Sequence, residues 1–213
     1  MIVPGSKEHN LGNRFRRRRM AKFLELVEPV RARKTVRILD VGGTAAYWRA
    51  LPALYGLPGV EITVVNLDQP ESSEANLELR AGNACDLPFA DGTFDIVHSN
   101  SVIEHVGHWT EMERMAAEVR RLAPSHFIQT PNIGFPIEPH FKLPFVHWMP
   151  EQARIRALQM TGRLGGDIDA GAATRAVQRI SLLSASQFSF LFPESRIWKE
   201  RVAGFTKSLV AIR

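Results

Sequence analysis

The chain has 213 residues, 45% of them hydrophobic and 23% charged, the balance of a globular protein that folds as one domain with a substantial core. No apolar run approaches the roughly 20 residues needed to span a bilayer, the opening MIVPGSKEHN lacks the apolar stretch of a secretory signal, and no internal repeat is present. The lone Cys85 excludes an internal disulfide framework and leads us to expect a cytoplasmic protein.

The net charge is +5, and Arg14, Arg16, Arg17, Arg18 and Arg19 supply much of it. Met20, Phe23, Leu24 and Val27 follow at helical spacing, so residues 14–33 read as an amphipathic helix with the arginines at and before its first turns. Residues 1–35 are thus expected to form an N-terminal basic helix. Such a cluster could engage nucleic acid, an anionic membrane or an acidic substrate, but charge runs commonly serve solubility. Phe15 is the sole interleaved aromatic, which makes nucleic acid the minority reading.

Residues 36–41 read as a buried strand, within Ile38–Thr44 (ILDVGGT), where an apolar run ends in an acid and breaks into small residues. Glycines there let the backbone approach a ligand, and a helix is expected over 46–55. A second strand covers 61–67 in EITVVNLD. Asn66 and Asp68 point the same way while its pairing lasts, at the distance beyond Gly42 where a βαβ unit delivers a polar group to a ribose. Further strands are expected at 77–81, 94–99 and 126–130, with a helix at 110–123. The alternation implies a parallel sheet covered on both faces. Residues 197–202 and 208–212 read as two last strands joined at Gly204, an antiparallel pair.

The segments ILDVGGT, VVNLD, GNACDLPFADGTFDIV and SNSVIEHV, in this order and spacing, resemble the class I S-adenosylmethionine-dependent methyltransferases, in particular the type-11 family. The resemblance covers residues 36–131 well and weakens toward Arg213. It implies an α/β fold: a Rossmann-like, doubly wound sheet of seven mostly parallel strands with an antiparallel C-terminal pair. S-adenosylmethionine is the implied cofactor. Thr44 and Ala46 stand where the family's turn carries its second and third glycines, Asn66 where it carries an acid, and Asn83 where another acid often precedes the adenine contact. A G-x-G-x-x-G reading from Gly42 fails at Thr44 and Tyr47, against an NAD-type site. By motif, the resemblance implies that Asp40, Gly42 and Gly43 shape the turn around the methionine portion. Asn66 and Asp68 address the ribose, with Asp68 preferred for its charge. Asn83, Ala84 and Cys85 border the adenine, and Ser99 and Asn100 lie near the transferring methyl.

Thr130–Pro150 breaks the alternation with Pro131, Pro136, Pro139, Pro144 and Pro150, which exclude a regular helix. It leaves the edge of the sheet where ligands bind. Residues 131–175 are expected to cap the acceptor site, with Phe135, Phe141, Phe145 and Trp148 as an apolar wall and Glu138 or His140 as a polar one; alternatively these aromatics only pack the insertion onto the sheet. Thr161–Ala173 (TGRLGGDIDAGAA) reads as a flap or a loose connection. For removing an acceptor proton the candidates are His105 and His140, with His108 a third. His105 and His108 lie three apart beside Glu104 without a Cys pair or H-E-x-x-H, so no metal site is expected. The reading is a methyltransferase acting on a small-molecule, glycan or lipid acceptor. The alternatives are a nucleic-acid methyltransferase anchored by the arginines and a non-catalytic cofactor-binding relative.

Overall fold

A computed structural model describes residues 7–162 and 168–213, with side chains described from residue 14 onward. In chain order, helix α1 (Lys7–Arg31) leads into β1 (Val36–Val41), α2 (Ala45–Arg49), β2 (Val60–Asn66), β3 (Ser72–Glu74), β4 (Leu77–Ala81) and β5 (Ile96–Asn100). Next come α3 (Trp109–Leu122), β6 (Ser125–Pro131), α4 (Glu151–Thr161), α5 (Ala170–Gln178), α6 (Ala185–Leu191), β7 (Arg196–Val202) and β8 (Phe205–Ile212).

In β1, Val36 and Ile38 pack to one side while Leu39 and Val41 pack to the other. A strand apolar on both faces belongs inside a covered sheet. The strand order is β3-β4-β2-β1-β5-β6-β8-β7. β4, β2, β1, β5 and β6 run parallel, whereas β8 is antiparallel to both β6 and β7. The expected seven strands are all present. Among the described residues an eighth, β3, adds an antiparallel edge to β4. Its Ser72, Ser73 and Glu74 carry no apolar alternation, so nothing in the sequence marks it.

One face of the sheet is covered by α1 and α2, where Met20, Phe23, Val27 and Trp48 are buried against Ile38, Ile62 and Ile96. The other is covered by α3 and α6 through Met112, Met115, Val119 and Phe188. The helix expected over 46–55 stops at Arg49. Pro52 disfavours a helical Leu51, and the chain tightens there, with Leu51 N donating to Trp48 O at 2.8 Å.

The proline-rich segment is irregular, as expected, with one 3-10 turn at Val146–Trp148. The helices beyond it were not foreseen. With them the insertion builds a core of its own from Phe141, Val146, Ile155, Leu158, Ala173 and Val177. Of the glycine-rich stretch read as a flap, residues 163–167 lie outside the described residues; α4 runs up to its first residue, Thr161, and α5, capped by Asp169, takes up its end from Ala170. Among the described residues no helix is long and apolar enough to cross a membrane.

Candidate functional site

The glycine turn after β1 rests on a buried polar knot. Asp40 is 1% exposed, and its carboxylate accepts from Trp48 Nε1 at 2.6 Å and from His98 Nδ1 at 2.7 Å. His98 is itself boxed by Phe23, Tyr47, Trp48 and Phe127. A Cβ on Gly43 would lie 1.6 Å from Asp40 Oδ2, and Gly42 holds φ +77° with Val102 directly above it, so both positions require glycine. Thr44, one of the two departures from the glycine pattern, caps α2 by accepting from Tyr47 N at 3.3 Å. Asn66, at the end of β2, donates to the carbonyls of Gly42 and Gly43 at 3.3 and 3.1 Å, and its Oδ1 accepts from Leu67 N. An amide can donate to carbonyls where a carboxylate could not. The asparagine therefore braces the turn.

Two cavities meet at Gly42. The larger, about 360 Å³, runs between Asn66 and Leu67 on one side and Val102, His105 and Val106 on the other, with Asn83 and Ala84 along its wall. The smaller, about 160 Å³, is bounded by Asp40, Gly43, Thr44, Tyr47, His98 and Asn100. Three expected contacts are not brought there. Asp68 is exposed and lies outside both linings, because β2 ends at Asn66 and the strand alternation stops with it. Cys85 turns toward α3, its Sγ donating to Glu111 O at 3.3 Å. Ser99 is fully buried and ties β5 to β1, its Oγ donating to Val41 O at 2.9 Å.

The arginine cluster divides. Arg14, Arg16 and Arg17 are exposed, and Arg18 stacks over Trp198 at 5.3 Å. Arg19 turns inward, donating to Asn100 Oδ1 at 2.8 Å and standing 3.7 Å from buried Glu200. It thus delivers a guanidinium to the tip of β5, beside the smaller cavity.

Residues 39–125, which carry the turn, both cavity walls and α3, match the family described as a methyltransferase domain. Over that stretch the chain is similar to class I S-adenosylmethionine-dependent methyltransferases. An uncharacterized protein of Mycobacterium tuberculosis is 29% identical over 96 residues, which make up 45% of this chain and 32% of that protein. The chain therefore matches about a third of that relative's length. Among solved structures, one described as a sarcosine dimethylglycine methyltransferase from Galdieria sulphuraria superposes with a TM-score of 0.51 at 17% identity, over 87% of this chain and 63% of that one. The carbon methyltransferase CurJ gives 0.50 at 12% identity, over 84% and 48%. At these identities the likeness is one of fold.

S-adenosylmethionine is the cofactor of such a methyltransferase, and the residues present fit it. The larger cavity combines apolar Val65, Leu67 and Val102 with the amide groups of Asn66 and Asn83, a lining suited to a nucleoside. The smaller one lies beside Arg19, suited to an amino-acid carboxylate.

Along the larger cavity a 3-10 turn, Ile103–His105, places two polar side chains. Glu104 is fully buried; its Oε2 accepts from Thr130 Oγ1 at 2.9 Å, and its Oε1 has no hydrogen-bond partner among the described residues. Burial pushes its carboxyl pKa up to about 7. His105 lines the cleft. Its Nδ1 lies 3.1 Å from Arg179 O, and its Nε2 lies 3.1 Å from Nε2 of His140 in the insertion. The His140 Nδ1 donates to Glu138 Oε1 at 2.7 Å, and the buried Glu138 also accepts from Phe141 N. His105 and His140, 35 residues apart, are thus in contact, whereas His108 serves as the N-terminal cap of α3. Of the insertion's aromatics, Phe141 is buried in the insertion's own core, while Phe145 and Trp148 are half exposed. Sequence reasoning did not single out Arg19, His98 or Glu104, which the fold sets beside the two cavities. Glu104 stood beside a chosen histidine, but a lone acid gives no sign of being buried.

Proposed function

We propose that this domain methylates oxygen or nitrogen of a small-molecule acceptor seated where the cofactor cleft meets the insertion. The observation that carries the reading is His105, which lines the cleft and touches His140, whose far nitrogen is held by buried Glu138. When bound, S-adenosylmethionine supplies a methyl group activated by its sulfonium. In this reading the glycine turn, Asn66, Asn83 and Ala84 hold the adenosine, and Arg19 with Asn100 anchors the amino-acid end. Asp40 and Ser99 support the turn from beneath, and Asp68 and Cys85 have no direct part. Glu138 and the Arg179 carbonyl fix the Nδ1–H tautomers, which leaves Nε2 lone pairs to accept the acceptor's proton. Alignment of acceptor and methyl is worth roughly 7–11 kcal/mol, so positioning supplies much of the rate.

The test is incubation of the purified protein with labelled methyl donor and fractionated cell extract. Label in the low-molecular-weight fraction, reduced in the His140→Ala variant, supports the reading. Label confined to RNA would transfer the proposal to a nucleic-acid acceptor held by the exposed arginines. Cofactor binding with no label in any fraction would mean a non-catalytic relative.

A further inference from the structure

We infer that Glu104, His105 and His140 form a binding site for one transition-metal cation of the zinc class. The inference rests on the reading above only in placing an acceptor nearby; the site itself follows from the side chains.

Proton accounting comes first. The Nδ1 of His105 faces the Arg179 carbonyl, which can only accept, and the Nδ1 of His140 faces the Glu138 carboxylate. Both Nδ1 atoms must therefore carry hydrogen. In neutral rings this leaves a lone pair on each Nε2, and those two atoms face one another at 3.1 Å with no donor between them. A proton or a metal cation between the rings would relieve that opposition.

Glu104 decides which one. Its carboxylate is fully buried, and Oε1 has no hydrogen-bond partner among the described residues. A buried unpaired oxygen is costly. A proton shared by the two imidazoles leaves that oxygen unanswered, whereas one divalent cation answers all three groups. The ligand atoms of the three residues lie within 4.8 Å of one another. Tetrahedral coordination at roughly 2.0–2.1 Å needs donors about 3.3 Å apart, so only modest closure of Glu104 is required.

The donor set selects the metal. Two imidazoles and one carboxylate suit zinc or a similar borderline ion, whereas magnesium and calcium prefer oxygen-rich shells. The groups behind the ligands agree, since each histidine's other nitrogen is held by a carboxylate or a carbonyl, the arrangement that orients metal-binding histidines. Three protein ligands leave a fourth position open. Because His105 lines the cofactor cleft, a hydroxyl acceptor occupying that position would lose its proton to water more readily. The imidazoles act as bases only in the cation-free form.

Cobalt(II) is the probe, titrated into chelator-treated full-length protein while its visible ligand-field absorption is followed. One equivalent giving four-coordinate bands supports the site. We expect Glu138→Gln to weaken binding roughly 10–100-fold, His140→Ala and Glu104→Gln to weaken it further, and His108→Ala to leave it unchanged. Glu104 is buried, so its variant needs a circular dichroism check; if it misfolds, the surface-accessible His140→Ala decides. No bands at one equivalent, or bands equally strong in His140→Ala, overturns the site. S-adenosylmethionine calorimetry on the same sample separates the two readings. Cofactor heat without cobalt bands removes only the metal, and cobalt bands without cofactor heat remove only the methyltransferase reading.

Discussion

Replacing Asp40 with alanine tests whether that carboxylate holds the fold or holds the ligand. It accepts two short hydrogen bonds, 2.6 Å from the Trp48 indole and 2.7 Å from His98, and all three side chains are buried. In the variant neither donor has another acceptor to turn to, and each stranded group costs about 1–3 kcal/mol. The two together give an expected loss of about 2–6 kcal/mol, with about 3–4 kcal/mol taken as the working middle of that range. At about 2–4 °C per kcal/mol for a chain of this size, the melting temperature should fall by about 6–16 °C. Asp40→Asn should lose less than half as much, because the amide oxygen still accepts from Trp48 and its NH2 can donate to His98 in the other tautomer. Thermal unfolding by circular dichroism, with S-adenosylmethionine calorimetry on the same samples, measures both quantities. An Asp40→Ala protein destabilised by under about 1 kcal/mol, yet with weakened cofactor affinity, would refute the reasoning and make Asp40 a direct cofactor contact.

Three further outcomes are expected. Arg19→Ala should weaken S-adenosylmethionine binding about tenfold, the loss of one charge-assisted contact, while exposed Arg17→Ala changes it little; calorimetry on both decides, and equal effects would return the cluster to a purely solvating role. Asn66→Ala, which frees the glycine-turn carbonyls, should reduce cofactor affinity more than Asp68→Ala, whose side chain is exposed; the reverse order would restore Asp68 as the ribose contact. His126 is buried, which pushes its imidazole pKa from 6.5 down to about 4. Its folded value is depressed, so the stability it contributes is present above the unfolded value and is lost as pH falls from 6.5 through 4, a swing of about 3 kcal/mol. Urea unfolding of wild type and His126→Gln across that range should show the acid limb flattening in the variant.

The strands of the cofactor half were legible because burial on two faces writes near-continuous apolar runs; the reading at 77–81 coincides with β4 and that at 36–41 with β1. Ser72–Glu74 was invisible, since a polar edge strand is specified by its neighbour's unpaired backbone and not by its own side chains. Asp68 falls outside both cavity linings because alternation holds only inside a paired strand, and β2 stops two residues earlier. At the site, the turn glycines could be read from local sequence. The contact of His105 with His140 could not, as it depends on how a 35-residue excursion folds back. Arg19 was hidden among like neighbours, and only the packing of α1 singles it out.

The insertion's separate apolar centre, Phe141 with Val146, Ile155 and Leu158, gives it structural autonomy. A segment with its own apolar centre can change sequence at its surface while the sheet's two cores, built from other residues, keep their packing. That freedom carries a condition. Glu138 and His140 ride on the insertion while Glu104 and His105 sit on the turn after β5, so a change to the Glu-Pro-His triplet would remove one side of the His105–His140 contact and leave the other in place.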